Sequence, residues 1–139
     1  MPVDIENRKR LRFDDFKLSR FPNGRCKVWV QMEWTEGRTF LGEAEGTQTK
    51  QGELQAAAAA TVNAAASAVQ GRLELELKGV KAVRAFDAWV VVASVSARAT
   101  GLDLRLLGVS PSAGSDTSRG AVLAVLDATN RVLARYLGE

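Results

Sequence analysis

Residues 26–34 have the sequence CKVWVQMEW. Apolar side chains occupy every second position of this segment, at Cys26, Val28, Val30, Met32 and Trp34. The alternation predicts a β-strand with one face on a core and the other towards solvent or a partner. Trp29 lies on the otherwise polar face, where an aromatic side chain favours an interface.

The segments on either side of this strand complete a β-β-β-α unit. Residues 11–21 predict a first strand that ends at the turn Pro22-Asn23-Gly24. Gly37 belongs to a predicted hairpin turn that leads into a third strand at residues 38–42. An alanine-rich segment then predicts a helix at residues 50–69, with Thr47 or Thr49 as its N-cap.

The second half of the chain repeats this order. Strands are predicted at residues 72–86, 89–95 and 102–106, followed by a helix that begins after Ser115 or Asp116 and continues to about residue 137. We align Trp29 with Trp89, Gly37 with Gly101, Gly42 with Gly108, and Ala60-Thr61 with Ala128-Thr129. Chance similarity of short apolar patterns is the alternative explanation.

The predicted fold class is therefore α+β, with two tandem β-β-β-α units, mostly antiparallel sheets and one helix packed on each sheet. We expect a flexible basic arm at residues 1–10. A single domain follows at residues 11–139, with pseudo-repeats at 11–70 and 71–139. At 139 residues the chain has the length of one domain.

Composition argues against most catalytic and metal chemistry. The chain has no histidine and one cysteine, Cys26, which we interpret as a small buried hydrophobic residue. Without histidine a Ser-His-Asp triad is excluded, and the carboxylates show no spacing typical of a metal site. We therefore expect no enzyme activity, no cofactor and no metal. No apolar run reaches the ~20 residues of a membrane span, so we expect a cytoplasmic protein that does not enter membranes.

Net charge is +3, and basic residues concentrate at Arg8, Lys9, Arg10 and Arg12. Such a cluster is compatible with nucleic-acid binding, but Asp14 and Asp15 follow it directly, and a solvated arm is the better explanation. Nucleic acid is therefore a disfavoured partner.

Glycines precede both predicted helices. Gly42 and Gly46 stand before the first helix, and Gly108 and Gly114 before the second. Glycine-containing loops at helix starts can present free N–H groups to a carboxylate, although plain turn residues are the alternative. If the chain binds a small ligand, the predicted binding residues are Gly42, Glu43, Gly46, Thr47, Gly108, Ser110, Ser115 and Asp116. The predicted interface or pocket-wall residues, with core packing as the alternative, are Trp29, Trp34 and Trp89.

The two-unit pattern resembles the C-terminal allosteric and dimerisation domain of 2-isopropylmalate synthases and related acyl-transfer synthases. The segments Leu107-Gly108-Val109-Ser110 and Ser115-Asp116, with the helix that ends Ala128-Thr129-Asn130-Arg131, are similar to the family's strand, glycine loop, aspartate and Ala-Leu-Asn-Arg helix. The segment from Phe40 to Gly46 is similar to the family's glycine-containing strand end, whereas Thr47-Gln48-Thr49-Lys50-Gln51 replaces its Gly-Pro-Val-Asp-Ala helix start.

The resemblance implies a free-standing relative of this domain without the family's catalytic barrel. In the family, two β-β-β-α units associate as a dimer, with leucine bound between units near the glycine-containing loops. We accordingly expect a non-catalytic dimerisation or regulatory-type binding module, forming a dimer or larger assembly and sensing a small amino-acid-like ligand. A self-assembling structural or scaffolding protein is the first alternative. A weak nucleic-acid binder acting through the basic arm is the second.

Overall fold

The computed structural model describes residues 11–34, 37–112 and 117–136. Within these residues the elements follow the order β-β-β-α-β-β-β-α. The first unit consists of β1 (Leu11–Arg20), β2 (Arg25–Trp34), β3 (Thr39–Thr47) and α1 (Lys50–Val69). The second consists of β4 (Glu74–Ala85), β5 (Ala88–Ala99), β6 (Leu102–Ser112) and α2 (Thr117–Leu133). The predicted basic arm, residues 1–10, lies outside the described residues.

Each unit forms one antiparallel three-stranded sheet, sheet A in the order β1-β2-β3 and sheet B in the order β4-β5-β6. This confirms the predicted α+β fold of two tandem β-β-β-α units. The alternation in residues 26–34 is also confirmed, because every second side chain of β2 is buried. Helix α1 has the predicted bounds, and Thr49 is its N-cap, with Oγ1 accepting a hydrogen bond from the Gly52 N–H at 2.9 Å.

The backbone of the second unit reproduces that of the first in detail. Strand β1 has a bulge at Asp14, between Phe13 and Asp15, and β4 has one at Lys78, between Leu77 and Gly79. The two bulged residues are separated by the same 64 positions as the turn glycines Gly37 and Gly101. The internal repeat therefore extends to local irregularities.

Two of the residue pairs aligned from sequence are nevertheless wrong. Trp29 lies opposite Glu43 in its sheet, whereas Trp89 lies opposite Ser112 at the strand end, so the two tryptophans are not equivalent. The strand equivalent of Trp29 is Val92, because Val92 lies opposite Val109, the counterpart of Glu43. Alternating apolar patterns repeat every two residues, so two strands can be aligned in the wrong register when only the pattern is compared.

The alignment of the two helices made from the sequence is wrong by four residues, which is about one helical turn. Gly42 faces Ala60 and Ala64 of α1, and Gly108 faces Ala124 and Ala128 of α2. Ala60 is therefore equivalent to Ala124 rather than to Ala128. An alanine-rich helix presents nearly the same surface every four residues, which hides the register from the sequence.

Both helices lie between the two sheets. Helix α1 packs on β2 and β3 of its own unit and also on β4, while α2 packs on β5 and β6 and also on β1. The helices also contact each other. This reciprocal arrangement gives approximate twofold symmetry and leaves α1 with only a narrow exposed stripe that includes Gln51, Gln55, Asn63 and Ser67. A helix enclosed on so many sides requires small apolar residues nearly all round, which explains the alanine run.

Two glycines set the distance between each helix and its own sheet. A Cβ atom at Gly42 would collide with the carbonyl oxygen of Ala60, and a Cβ at Gly108 with that of Ala124. Side chains from the same helices bind the edge strands: Asn63 Nδ2 donates to the Glu43 carbonyl at 2.9 Å, and the Val109 N–H donates to Asp127 Oδ2 at 3.0 Å. These bonds satisfy outward-facing backbone groups of β3 and β6.

We predict that Gly108→Ala lowers the free energy of unfolding by about 3 kcal/mol or more, because the clash is with helix backbone rather than with a mobile side chain. Gly79→Ala is the matched control, since a Cβ there meets nothing within 4 Å and the residue has no positive φ. That variant should stay within about 1 kcal/mol of the wild type. Urea denaturation measures both, and equal stabilities of the two variants would contradict the prediction.

A second prediction concerns Cys26. Its side chain is fully buried, and Sγ lies 3.4 Å from the carbonyl oxygen of Thr47. Burial raises the pKa of this thiol, because the thiolate would lose its hydration. Native protein should therefore resist alkylation by iodoacetamide in mildly alkaline buffer and react fully in guanidinium. Mass spectrometry of both samples gives the result, and rapid labelling of the native protein would show that the thiol is reactive.

Candidate functional site

The glycines predicted to form ligand-binding loops lie in strands. Gly42 and Gly46 belong to β3, and Gly108 belongs to β6. The prediction of loops at residues 42–47 and 108–116 is therefore wrong for residues 42–47 and 108–112, which lie in β3 and β6, and residues 113–116 lie outside the described residues. The physical reason for these glycines is close helix packing, since a Cβ at Gly46 would also lie only 2.8 Å from the Gly52 carbonyl oxygen.

The other predicted binding residues do not converge on one cavity. Glu43 points to the outer face of sheet A and pairs with Lys27 at 2.6 Å. Thr47 Oγ1 lies 3.1 Å from Thr49 Oγ1, beside the start of α1. Ser110 is buried, and its hydroxyl donates to the Pro111 carbonyl. The last two, Ser115 and Asp116, lie outside the described residues, and the ligand-binding role of the whole set stays a prediction.

The three tryptophans have three different environments. Trp34 is fully buried, so it is a core residue and its predicted interface role is wrong, because its side chain points to the helix side of sheet A. Trp29 is half-buried on the outer face of that sheet, with the Lys17 and Lys27 ammonium groups 5.7 and 5.2 Å from its ring centroid. Trp89 is half-buried and lines a pocket.

This pocket, which we call the seam pocket, has a volume of about 230 Å³ and lies where the two units meet. Its lining comes from the first turn of α1, from β4 and β5, and from the start of α2: Lys50, Gln51, Leu54, Ala82, Trp89 and Thr117. Because residues from the first turns of both helices line it, the helices begin at the same end of the molecule. Both units must therefore be packed together for the seam pocket to exist.

Two contacts hold the wall of the seam pocket, one between the units and one within the second unit. Gln51 Nε2 donates a hydrogen bond to the Val80 carbonyl oxygen at 3.2 Å, which ties the start of α1 to β4. The Arg84 guanidinium lies 5.6 Å from the centroid of the Trp89 ring. A cation at this distance from an indole ring is attracted to it, so Arg84 helps to orient the aromatic wall.

The polar end of the seam pocket is electropositive. Lys50 is the first residue of α1, and among the described residues it has no ion-pair partner. A lysine at a helix N-terminus adds its charge to the positive end of the helix dipole. A bound carboxylate would interact favourably with both, whereas Leu54, Ala82 and the Trp89 ring offer only apolar surface.

A second cavity of about 380 Å³ lies at the symmetry-related position, beside β1 and the start of α2. It shares Lys50 and Thr117 with the seam pocket and is lined in addition by Phe16, Leu18, Arg20, Glu53 and Ser118. An ion pair lies in its wall, with Arg20 Nε 2.6 Å and Nη2 2.9 Å from the two Glu53 carboxylate oxygens. Glu53 raises the pKa of Arg20 through this hydrogen-bonded contact. Both cavities contain Lys50, but only this one has a carboxylate, Glu53, in its lining, so the seam pocket is the better candidate for an anionic ligand.

Within residues 11–34, 37–112 and 117–136, no three cysteine or carboxylate side chains are grouped so that they could hold a metal ion. No helix in the same part of the chain combines the length and apolar character needed to cross a bilayer.

No family model matches the sequence, and no curated protein matches it. The resemblance to the regulatory domain of 2-isopropylmalate synthases therefore stays a prediction from the residues.

Sequence reasoning found one wall of the seam pocket, Trp89, and missed the rest. Leu54 and Ala82 look like ordinary core positions of a helix and a strand, and Lys50 looks like a solvated helix start. Their contribution arises only because α1 crosses to the other unit. The available signal was a lysine directly after the predicted cap of the first helix, Thr49.

Proposed function

We propose that the protein is a non-catalytic binding module of regulatory type, which binds a small amino-acid-like ligand in the seam pocket. The observation that carries the proposal is the combination of an apolar wall and an electropositive helix start in one pocket between the units. The apolar wall would contact the ligand's side chain, and Lys50 with the helix N-terminus would bind its carboxylate.

The size of the seam pocket supports a ligand of this class. Pockets for drug-sized ligands have volumes of roughly 300–1,000 Å³. At about 230 Å³ the seam pocket suits a smaller molecule, such as a branched-chain amino acid. Gln51 and Thr117 add hydrogen-bonding groups near the charged end.

The position of the seam pocket supports a regulatory role. A ligand there would touch the first turn of α1, the β4–β5 strands and the start of α2 at once. It would therefore stabilise one packing of the two units over others, and a ligand shifts an equilibrium by its differential affinity for the two states. The chain has no histidine, so its composition favours binding over general acid–base catalysis.

A structural or scaffolding protein that self-assembles is the competing proposal. The exposed apolar residues Leu107 and Val109 on sheet B favour self-association. A purely structural role predicts an assembly whose stability no small ligand changes. Nucleic-acid binding through the basic arm ranks third, and its signature would be a steep loss of affinity with salt.

The test is a thermal-shift screen of the purified chain with leucine, isoleucine and valine. A ligand at about 100 times its Kd should raise the free energy of unfolding by about 2.7 kcal/mol, and the melting temperature should rise accordingly. Leucinamide, which lacks the carboxylate, should give a much smaller shift if Lys50 binds that group. Absence of a shift with all three amino acids would contradict an amino-acid ligand.

The variant Trp89→Ala locates the site, because it removes the aromatic wall of the seam pocket. We expect it to abolish the ligand-dependent shift, and we expect Lys50→Gln to reduce the shift for leucine towards that for leucinamide. Trp29→Ala is the matched control, since this tryptophan lies on the outer face of sheet A, away from the seam pocket. Equal loss of binding in both tryptophan variants would place the ligand elsewhere.

A further inference from the structure

The outer faces of the two sheets have diverged although their backbones match. On sheet A, three neighbouring positions in one row across the strands are Ser19, Lys27 and Glu45. The equivalent row on sheet B is Val83, Val90 and Pro111. Sheet A therefore folds with charged residues at two of these three positions.

In the next row one charged residue is again replaced by an apolar one, while the central position is apolar in both sheets. Glu43, which pairs with Lys27 on sheet A, is replaced by Val109 on sheet B, and Trp29 is replaced by Val92. The exposed fraction is 49% for Val109 and 53% for Leu107, which lies on the same face. Together these residues form a continuous apolar surface across all three strands, which we call the sheet B patch: Val83, Val90, Val92, Leu107, Val109 and Pro111.

The turn beside the patch adds a further apolar side chain. Phe86 is fully exposed and has a positive φ of 55°, followed by Asp87 with φ 63°. Both central residues of this two-residue hairpin turn have positive φ, a conformation that glycine or asparagine adopts at the least cost. A phenylalanine kept in a strained and exposed position is better explained by a contact than by the turn.

We infer that the sheet B patch is the interface of a homodimer in which the outer face of sheet B packs on the same face of a second copy. Two sheets that pack face to face lie about 10 Å apart and bury the apolar rows of both. In a twofold contact the same surface meets itself, so an apolar patch on one copy always faces the patch of the other.

The size of the face matches this partner. Three strands of about 11 residues give a face roughly 14 Å wide and roughly 36 Å long, or about 500 Å². Two such faces bury about 1,000 Å², which is the lower limit for a specific interface. The contact between two copies must therefore include the charged end of the face as well as the sheet B patch.

The charges around the patch also favour a second copy. The charges on and beside this face nearly balance: Lys78, Lys81, Arg98 and Arg105 against Glu74, Glu76 and Asp103, with Lys78 paired to Glu76 at 3.3 Å. Arg98 and Glu74 already lie 3.8 Å apart as an ion pair. A face of one charge sign would repel its own copy, whereas a balanced face does not. This inference does not depend on whether the seam pocket binds a ligand.

The experiment compares two repeat-equivalent leucines by light scattering after size exclusion, from low to high micromolar concentration. Leu107→Glu places a carboxylate in the sheet B patch, and Leu41→Glu places one at the equivalent position of sheet A, where the leucine is 63% exposed. The wild type should have twice the chain mass of 15.0 kDa. Leu107→Glu should raise the dimer Kd by about 100-fold or more and give a monomer, while Leu41→Glu should remain a dimer.

A double variant guards against simple misfolding. Val90→Lys with Val109→Glu copies the Lys27–Glu43 ion pair of sheet A onto sheet B, so the folded monomer should tolerate it. We expect a monomer with unchanged circular dichroism. A monomeric wild type, a dimer that survives both sheet B variants, or a dimer lost only in Leu41→Glu would each overturn the inference.

Discussion

The close contact between each alanine-rich helix and a glycine in the edge strand of its own sheet is the constraint on which the rest of the structure depends. At Gly42 and Gly108 the helix backbone occupies the space that a Cβ would need. Only this separation lets two helices fit between two sheets while each reaches a strand of the other unit. The small alanine side chains and the strand glycines are therefore both required for this close packing of helix on sheet.

The arrangement of helices between sheets leaves two kinds of surface for function. The inner seam, where the two helix starts meet β4 and β5, combines apolar walls with positive charge. The outer faces of the sheets do not pack against the helices, so the residues on these faces could change during evolution while the fold was kept. Sheet A carries the Lys27–Glu43 ion pair there, whereas sheet B carries Val90 and Val109 at the equivalent positions. Duplication of one unit thus supports a proposed ligand site inside and a proposed association surface outside.

The approximate symmetry produces two related cavities, which differ in their side chains. Each helix start faces the first strand of the other unit, so two related cavities arise. Lys50 lines both cavities, but one has the Arg20–Glu53 ion pair in its wall, whereas the other has no carboxylate and is lined by the Trp89 ring. The difference lies in a few side chains on a common backbone, which is the usual way in which one fold acquires distinct sites.

The sequence by itself determined the class of fold, the strand alternation of residues 26–34, the bounds of α1 and the existence of the repeat. These features depend on local periodicity and helix propensity, and both are set by residues that are close together in the chain. The tertiary structure alone decided the helix register, the role of Gly42 and Gly108, the burial of Trp34 and the seam pocket. Those features depend on which surfaces meet across the two units. The helix register in particular cannot be read from the sequence, because an alanine-rich helix presents a similar surface in each register. Lys50, Leu54 and Ala82 are unremarkable along the chain, and they become a candidate site only because α1 crosses to the neighbouring sheet.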